Sequence, residues 1–245
     1  MNDKLQQIDT LLGELNQYRA NENYRITEAL EIEYTYDSNR IEGNTLTLHE
    51  TDMVVNKGIT IAGKGLREHL EAINHKEAID FIKDIAQKKE PISERVLLDI
   101  HAIVLHSIDK DNAGKYRRVP VIISGSKHIP PQPYLLQPKM DELFQWYEAN
   151  KDSIHPVVLA AQMHEKLVSV HPFIDGNGRT ARLLMNLILM QHGYPIANIK
   201  GDNETRRRYY ETLEEASSGD NSAFLEFIEG VVIQSLTYYL KIIRG

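Results

Sequence analysis

The chain has 245 residues, 42% of them hydrophobic and 26% charged, with a net charge of −7. That length buries a substantial core, and the acidic balance argues against a general nucleic-acid binder, whose affinity comes from cations neutralising phosphates. With no cysteine, disulfides, thiolate nucleophiles and thiolate metal sites are excluded; a reducing cytoplasm is the expected location.

Helical patterns dominate from the start. The N-terminal stretch MNDKLQQIDTLLGELNQ lacks the apolar segment of a secretion signal, and Leu5, Ile8, Leu11, Leu12 and Leu15 recur as one face of an amphipathic helix. A second helix is predicted over 22–39, ending near Gly43 and Asn44, and a third over 66–88 with Leu70, Ile73, Ala78, Phe81, Ile82 and Ile85 on its apolar side. Pro91 stops that helix, and Ser93 caps the next, which points Val96, Leu97, Ile100 and Val104 inward. Between 114 and 138 the character changes. "YRRVPVIISGSKHIPPQP" carries β-branched residues, a Ser-Gly-Ser turn and prolines, and is read as a short edge hairpin. Helices resume over 140–149 and 156–170, then over 178–192, where Gly193 and Pro195 supply the stop. Two more fit 204–217 and 222–244. The apolar run 183–190 is too short to cross a bilayer, so no membrane association is expected. The expected fold is all-α with a short edge β-hairpin.

The chemistry concentrates in "HPFIDGNGRTARLLMN", residues 171–186. The helix that follows is apolar on all sides and belongs in the core, yet its first amides need acceptors. Gly176 and Gly178 permit tight turns and close approach. The exposed amides, the helix dipole, Arg179 and Arg182 together make an anion site suited to phosphates. Asp175 would repel a phosphate unless a divalent cation lies between them, the arrangement expected of magnesium. His171 can accept a proton at neutral pH. Base, metal carboxylate and anion cradle describe phosphoryl or nucleotidyl transfer. Taken singly, a His before Pro-Phe is usually structural and Gly-Asn-Gly is usually a turn; eight specified residues at fixed spacing arise by chance about once in 10¹⁰ positions.

This stretch resembles the signature of the Fic family (Fic/DOC domain), H-x-F-x-[DE]-G-N-G-R-x-x-R. His171, Phe173, Asp175, Gly176, Asn177, Gly178, Arg179 and Arg182 match every specified position. The resemblance covers about residues 30–235 and is strongest toward the branch that includes the animal endoplasmic-reticulum enzyme, without that branch's membrane anchor or tetratricopeptide repeats. It implies transfer of AMP from ATP to a Ser, Thr or Tyr hydroxyl of a target protein. His171 would deprotonate the hydroxyl, and Asp175 would hold Mg²⁺ against the α- and β-phosphates. The 176–178 loop would cradle phosphates, with Asn177 contributing its amide. Arg179 and Arg182 would hold the β/γ end, and Phe173 would anchor the loop.

"SNRIEGNTLTL" fits the family's inhibitory motif [ST]-x-x-x-E-[GN] through Ser38, Glu42 and Gly43. The resemblance implies a class II arrangement, in which a helix at about 22–43 sets Glu42 on Arg182 and misaligns the phosphates. It divides the chain into a helical extension, 1–90, and a catalytic core with C-terminal helices, 91–245. The 119–131 hairpin resembles the family's flap, which docks the target segment by main-chain bonds, with Gly125, Ser126, Lys127 and His128 near the nucleotide. Tyr210 would pack on adenine with Tyr209 beside it, and Ser217 stands where close relatives carry an Asn that touches the nucleotide. The implied partners are ATP, Mg²⁺, a hydroxyl-bearing target, the chain itself as a substrate, and a second copy in a homodimer. AMP removal, phosphate or phosphocholine transfer on the same fold, and a nucleotide-binding module without turnover remain as alternatives. A zinc-protease reading of "HEKLVSVH" fails because Val168 stands where a second His is needed. No Walker motif occurs, and His49, His69, His75, His101 and His106 are read as structural or exposed.

Overall fold

The computed structural model describes residues 3–244, and residues 1, 2 and 245, the outer ends of the two expected spans, lie outside them. Every regular element among the described residues is helical. The centre is α8 (Asn177–Gln191), with Leu183, Leu184, Leu187, Ile188 and Leu189 all fully buried. Each such leucine contributes about 2 kcal/mol by burial alone. Asn186 interrupts this run without leaving an orphan. Its amide nitrogen donates to Arg182 and Ala197 carbonyls at 3.2 Å each, and its oxygen accepts from Ala197 N at 2.8 Å.

Around α8 pack α4 (Leu66–Lys88), α5 (Glu94–Val104) and α7 (Pro156–Val170), with α6 (Leu136–Asn150) behind α7. The last helices, α9 (Asn203–Ser217) and α10 (Ser222–Arg244), close one side, and α1 (Asp3–Tyr18) lies along α10. Local caps match the sequence at several ends: Ser93 Oγ accepts from Val96 N, and Asp202 from the amides of Glu204 and Thr205. The second helix, α2 (Tyr24–Ile41), starts at Asn23, whose side chain accepts from Arg25 N and Ile26 N. Its last turns are unusual, burying Thr35, Asp37, Ser38 and Asn39. Such polar burial is tolerated only where partners exist. Asp37 has them, accepting from Asn198 at 2.7 Å and from Gly201 N at 2.9 Å.

Two readings of the sequence need correction. A further helix, α3 (Leu48–Lys57), was not anticipated, although Thr47 and Glu50 form a capping box whose T-x-x-E spacing is visible in the sequence. The hairpin expected over 119–131 is not seen; no strand occurs among the described residues. Pro120, Pro130 and Pro131 remove donors, Ile122 is 90% exposed, and the described residues hold no sheet for either arm to join. A lone two-stranded hairpin without a covered face is marginal. The segment is an irregular loop with a turn at its tip, Ser126 N donating to Ile123 O at 3.2 Å.

Candidate active site

His171, the C-cap of α7, takes the left-handed conformation at φ 49°, and Gly176, the N-cap of α8, does so at φ 76°. The four residues between them are pinned from inside. Asn177 closes a clasp on Phe173, accepting from its amide at 3.0 Å and donating to its carbonyl at 2.9 Å. Phe173 stacks on the His101 ring at 3.6 Å. His101 in turn joins the Asp175 carbonyl at 3.0 Å and accepts from Gly114 N at 3.0 Å through Nδ1. That acceptor role leaves the proton on Nε2, which donates to Asp175. Burial pushes the His101 pKa down to about 4, so the ring stays neutral. Gly176 needs its residue type twice: its φ is positive, and a Cβ there would lie 3.2 Å from Val104.

The loop thus leaves the first amides of α8 with no side-chain cap. His171 stands at their edge. Its Nδ1 is buried and closes no hydrogen bond of ordinary geometry. Burial, opposed in part by the Val168 carbonyl and reinforced by Arg117, holds its pKa below the usual histidine value. Nδ1 being buried, Nε2 is the ring nitrogen left to accept a proton at neutral pH.

Asp175 presents one carboxylate beside it. Oδ1 accepts from Gly176 N at 2.6 Å and from Arg179 at 3.2 Å, and Oδ2 pairs with Arg67 of α4. Burial raises its pKa, but Arg179, the Gly176 amide and Arg67 together bring it below the ordinary aspartate value, so it is ionised. No group of three or more metal-ligating side chains occurs among the described residues. One partly exposed carboxylate fits a magnesium ion that takes its remaining ligands from phosphates and water. Arg179, 2% exposed, is flanked by Asp175 and by Glu71 at 3.5 Å. It therefore lies on the Asp175 side of the helix mouth.

The other side is closed. Arg182 is 1% exposed. It donates to Ser38 Oγ at 3.0 Å, to Ser38 O at 2.8 Å and to Glu42 Oε1 at 2.7 Å. Burial works against its charge, and Glu42 with two neighbouring phenol oxygens raises its pKa above the ordinary arginine value. Glu42 caps the C-terminus of α2, and Gly43 follows at φ 98°, where other residues are strained. The Glu42 carboxylate rests on Gly178, where an added Cβ would fall 2.3 Å from Oε1. A side-chain carboxylate thus sits against the helix mouth and on the second signature arginine.

Of the remaining residues singled out in the sequence, Ser126 and Lys127 are tied to α9 by Glu214, through the Ser126 hydroxyl and through Lys127 N at 2.8 Å. His128 reaches the Ser169 carbonyl at 2.7 Å, and Gly125 forms the turn at φ 81°. Tyr210 is 43% exposed, with its hydroxyl on Ile41 O at 3.2 Å. Tyr209 is buried, its hydroxyl between His164 Nε2 at 3.1 Å and Arg182 at 3.4 Å. Ser217 Oγ donates to Glu214 O of its own helix at 2.7 Å. Sequence reasoning missed Arg67, Arg117 and His101 as parts of this site; none lies in the signature.

Residues 91–189 match the Fic/DOC family. The chain is 39% identical over 210 residues to a protein adenylyltransferase Fic from Nematostella vectensis, covering 85% of this chain and 48% of that protein. It is 39% identical over 209 residues to the protein of that name from Drosophila grimshawi, covering 42% of it. The chain thus spans less than half the length of these curated relatives. Among solved structures, a fragment of Fic-1 from C. elegans superposes with a TM-score of 0.86 at 33% identity, covering 98% of this chain and 71% of that one. A Fic-domain signalling protein from Bacteroides thetaiotaomicron gives 0.88 at 29% identity, covering 99% and 97%.

Proposed function

The chain belongs to the Fic/DOC family, and from that premise we propose that it is an autoinhibited protein adenylyltransferase. The observation that carries the reading is the Glu42 carboxylate on Arg182 and Gly178, at the same helix mouth that His171 borders. A group placed there competes directly with phosphate. The names of the relatives, protein adenylyltransferase Fic, supply the reaction.

In this reading ATP lays its phosphates on the amides of Asn177, Gly178 and Arg179, with Arg182 toward the far phosphates once Glu42 withdraws. Tyr210, the exposed member of the tyrosine pair, packs on adenine; Tyr209 acts from below, holding Arg182. Asp175 would hold Mg²⁺, which would supply neutralisation of phosphate charge. His171 takes the proton from a Ser, Thr or Tyr hydroxyl. The hydroxyl oxygen bonds to the α-phosphorus, and the bond to the β-phosphate oxygen breaks, releasing pyrophosphate. The target segment runs along loop 119–131, where Val119, Ile122 and Ile129 offer exposed apolar contacts. The chain itself is one candidate substrate, a homodimer is one candidate assembly, and the cytoplasm is the proposed location. Among the described residues no helix is long and apolar enough to cross a membrane. In this scheme 1–90 is the inhibitory extension and 91–245 the catalytic core.

The test is intact-mass analysis of the Glu42→Gly variant incubated with ATP, magnesium and a protein lysate. One added AMP per modified site is expected, and none when His171→Ala is combined with it while ATP binding persists. Added phosphate instead of AMP, or undiminished transfer in the His171→Ala protein, refutes the reading.

A further inference from the structure

Arg117 stands outside the signature, in the irregular stretch between α5 and α6, yet it is 2% exposed. Among the described residues its guanidinium has no carboxylate partner and meets three carbonyls instead. Nε donates to His171 O at 2.8 Å, one terminal nitrogen to Val119 O at 3.1 Å, and the other to Pro131 O at 2.6 Å. Its own amide donates to Pro172 O at 2.9 Å. One residue thereby joins both ends of loop 119–131 to the peptide that carries His171.

Burying a guanidinium on neutral acceptors is an expensive way to close a loop, and burial lowers the Arg117 pKa accordingly. Two features explain why a fork is needed here. Pro120, Pro130 and Pro131 lack amide donors, so the loop cannot close by ladder bonds between its arms. And His171 is a non-glycine residue at φ 49°, a strained conformation that persists only when its surroundings hold it. Arg117 grips the carbonyl of that residue. Lysine, with one compact ammonium, cannot span three carbonyls in a plane.

We propose that Arg117 is a positioning residue that registers loop 119–131 and the His171 imidazole against each other, so that a segment docked on the loop arrives with its hydroxyl at the base. Its catalytic consequence rests on the adenylyltransferase reading; its structural consequence does not. The charged and titratable groups facing His171 are Arg117, Glu42 and His128. Among them the Arg117 cation disfavours the imidazolium, so removing it shifts the titration of His171 upward.

The experiment compares Arg117→Lys and Arg117→Met, each combined with Glu42→Gly, in three measurements. Trypsin cleavage after Lys127 should quicken by about tenfold or more in both, because the loop base is no longer clamped. Transfer of labelled AMP to the chain itself and to a lysate should fall by about 100-fold, with the KM for ATP within about twofold of the parent. The His171 ring, followed by NMR, should titrate higher in the Met variant than in the Lys variant, which keeps the cation. Unchanged cleavage, a loss of transfer that merely follows a loss of ATP affinity, or failure of both variants to fold overturns the proposal. If the Glu42→Gly parent transfers nothing, the adenylyltransferase reading falls alone, and cleavage and titration still decide the role of Arg117.

Discussion

Replacing Glu42 with Gly should release the helix mouth, and the structure sets how much. Arg182 donates to the Glu42 carboxylate at 2.7 Å, with the two side chains 1% and 31% exposed. At an effective dielectric near 20, opposite charges about 4 Å apart attract by about 4 kcal/mol. Water around the exposed third of the Glu42 side chain screens that, leaving about 2 kcal/mol that an incoming phosphate must overcome. At about 1.4 kcal/mol per decade, kcat/KM for ATP should rise by about 30-fold. Glu42→Gln separates charge from bulk: it keeps an acceptor for Arg182 but no longer repels phosphate, so it should fall between parent and Gly. The fold should survive, since Ser38 still accepts two bonds from Arg182, and Gly is well suited to a helix C-terminus. The assay is the initial rate of labelled AMP transfer across an ATP series. A change below about twofold in both variants would refute the electrostatic argument, whatever the overall activity.

Acid should destabilise the protein well above the carboxylate range. His75, His101 and His164 are buried and held neutral by desolvation, His101 at about 4 and His164 at about 3. Below about 6.5 the unfolded chain binds protons that the folded chain refuses, so stability falls by about 1.4 kcal/mol per pH unit for each group until its folded pKa is reached. Urea midpoints at pH 7 and pH 5 should differ accordingly, and coincident midpoints would contradict the burial of these rings as neutral species. Arg67 occupies one oxygen of Asp175, so Arg67→Ala should tighten Mn²⁺ binding in the presence of ATP by a few-fold, read by electron paramagnetic resonance; weaker binding would mean that Arg67 supports the site instead of competing for it.

The signature was legible because its parts lie within twelve consecutive positions and because an all-round apolar helix follows at once. Burial of α8, the Gly176 turn and the chain order of the large helices come from the same local patterns. The residues that hold the loop in place were not legible, since their partners lie far off in the chain. Arg117 finds His171 54 positions away, His101 finds Asp175 74 away, and Arg67 finds Asp175 108 away. The hairpin failed for a different reason. β-branched residues and a glycine turn describe what a strand favours, but a strand also needs a neighbour, and no sheet occurs among the described residues to supply one. Tyr209 shows the same limit: two adjacent tyrosines read alike, and only packing puts one under Arg182 and the other at the surface.

Arg182 has two of its three bonds to α2 from Ser38, a hydroxyl and a carbonyl that do not compete with phosphate. α2 can therefore stay docked while the obstruction alone departs. What must move is a single three-torsion side chain at a helix end, which rotates in nanoseconds or less once unpaired; no element need melt or swing away. In the proposed autoinhibited enzyme, throttling of this kind would leave the cation already aimed and desolvated, so the occupied and open forms would differ by a few heavy atoms, and a modest bias from a neighbour would tip one into the other.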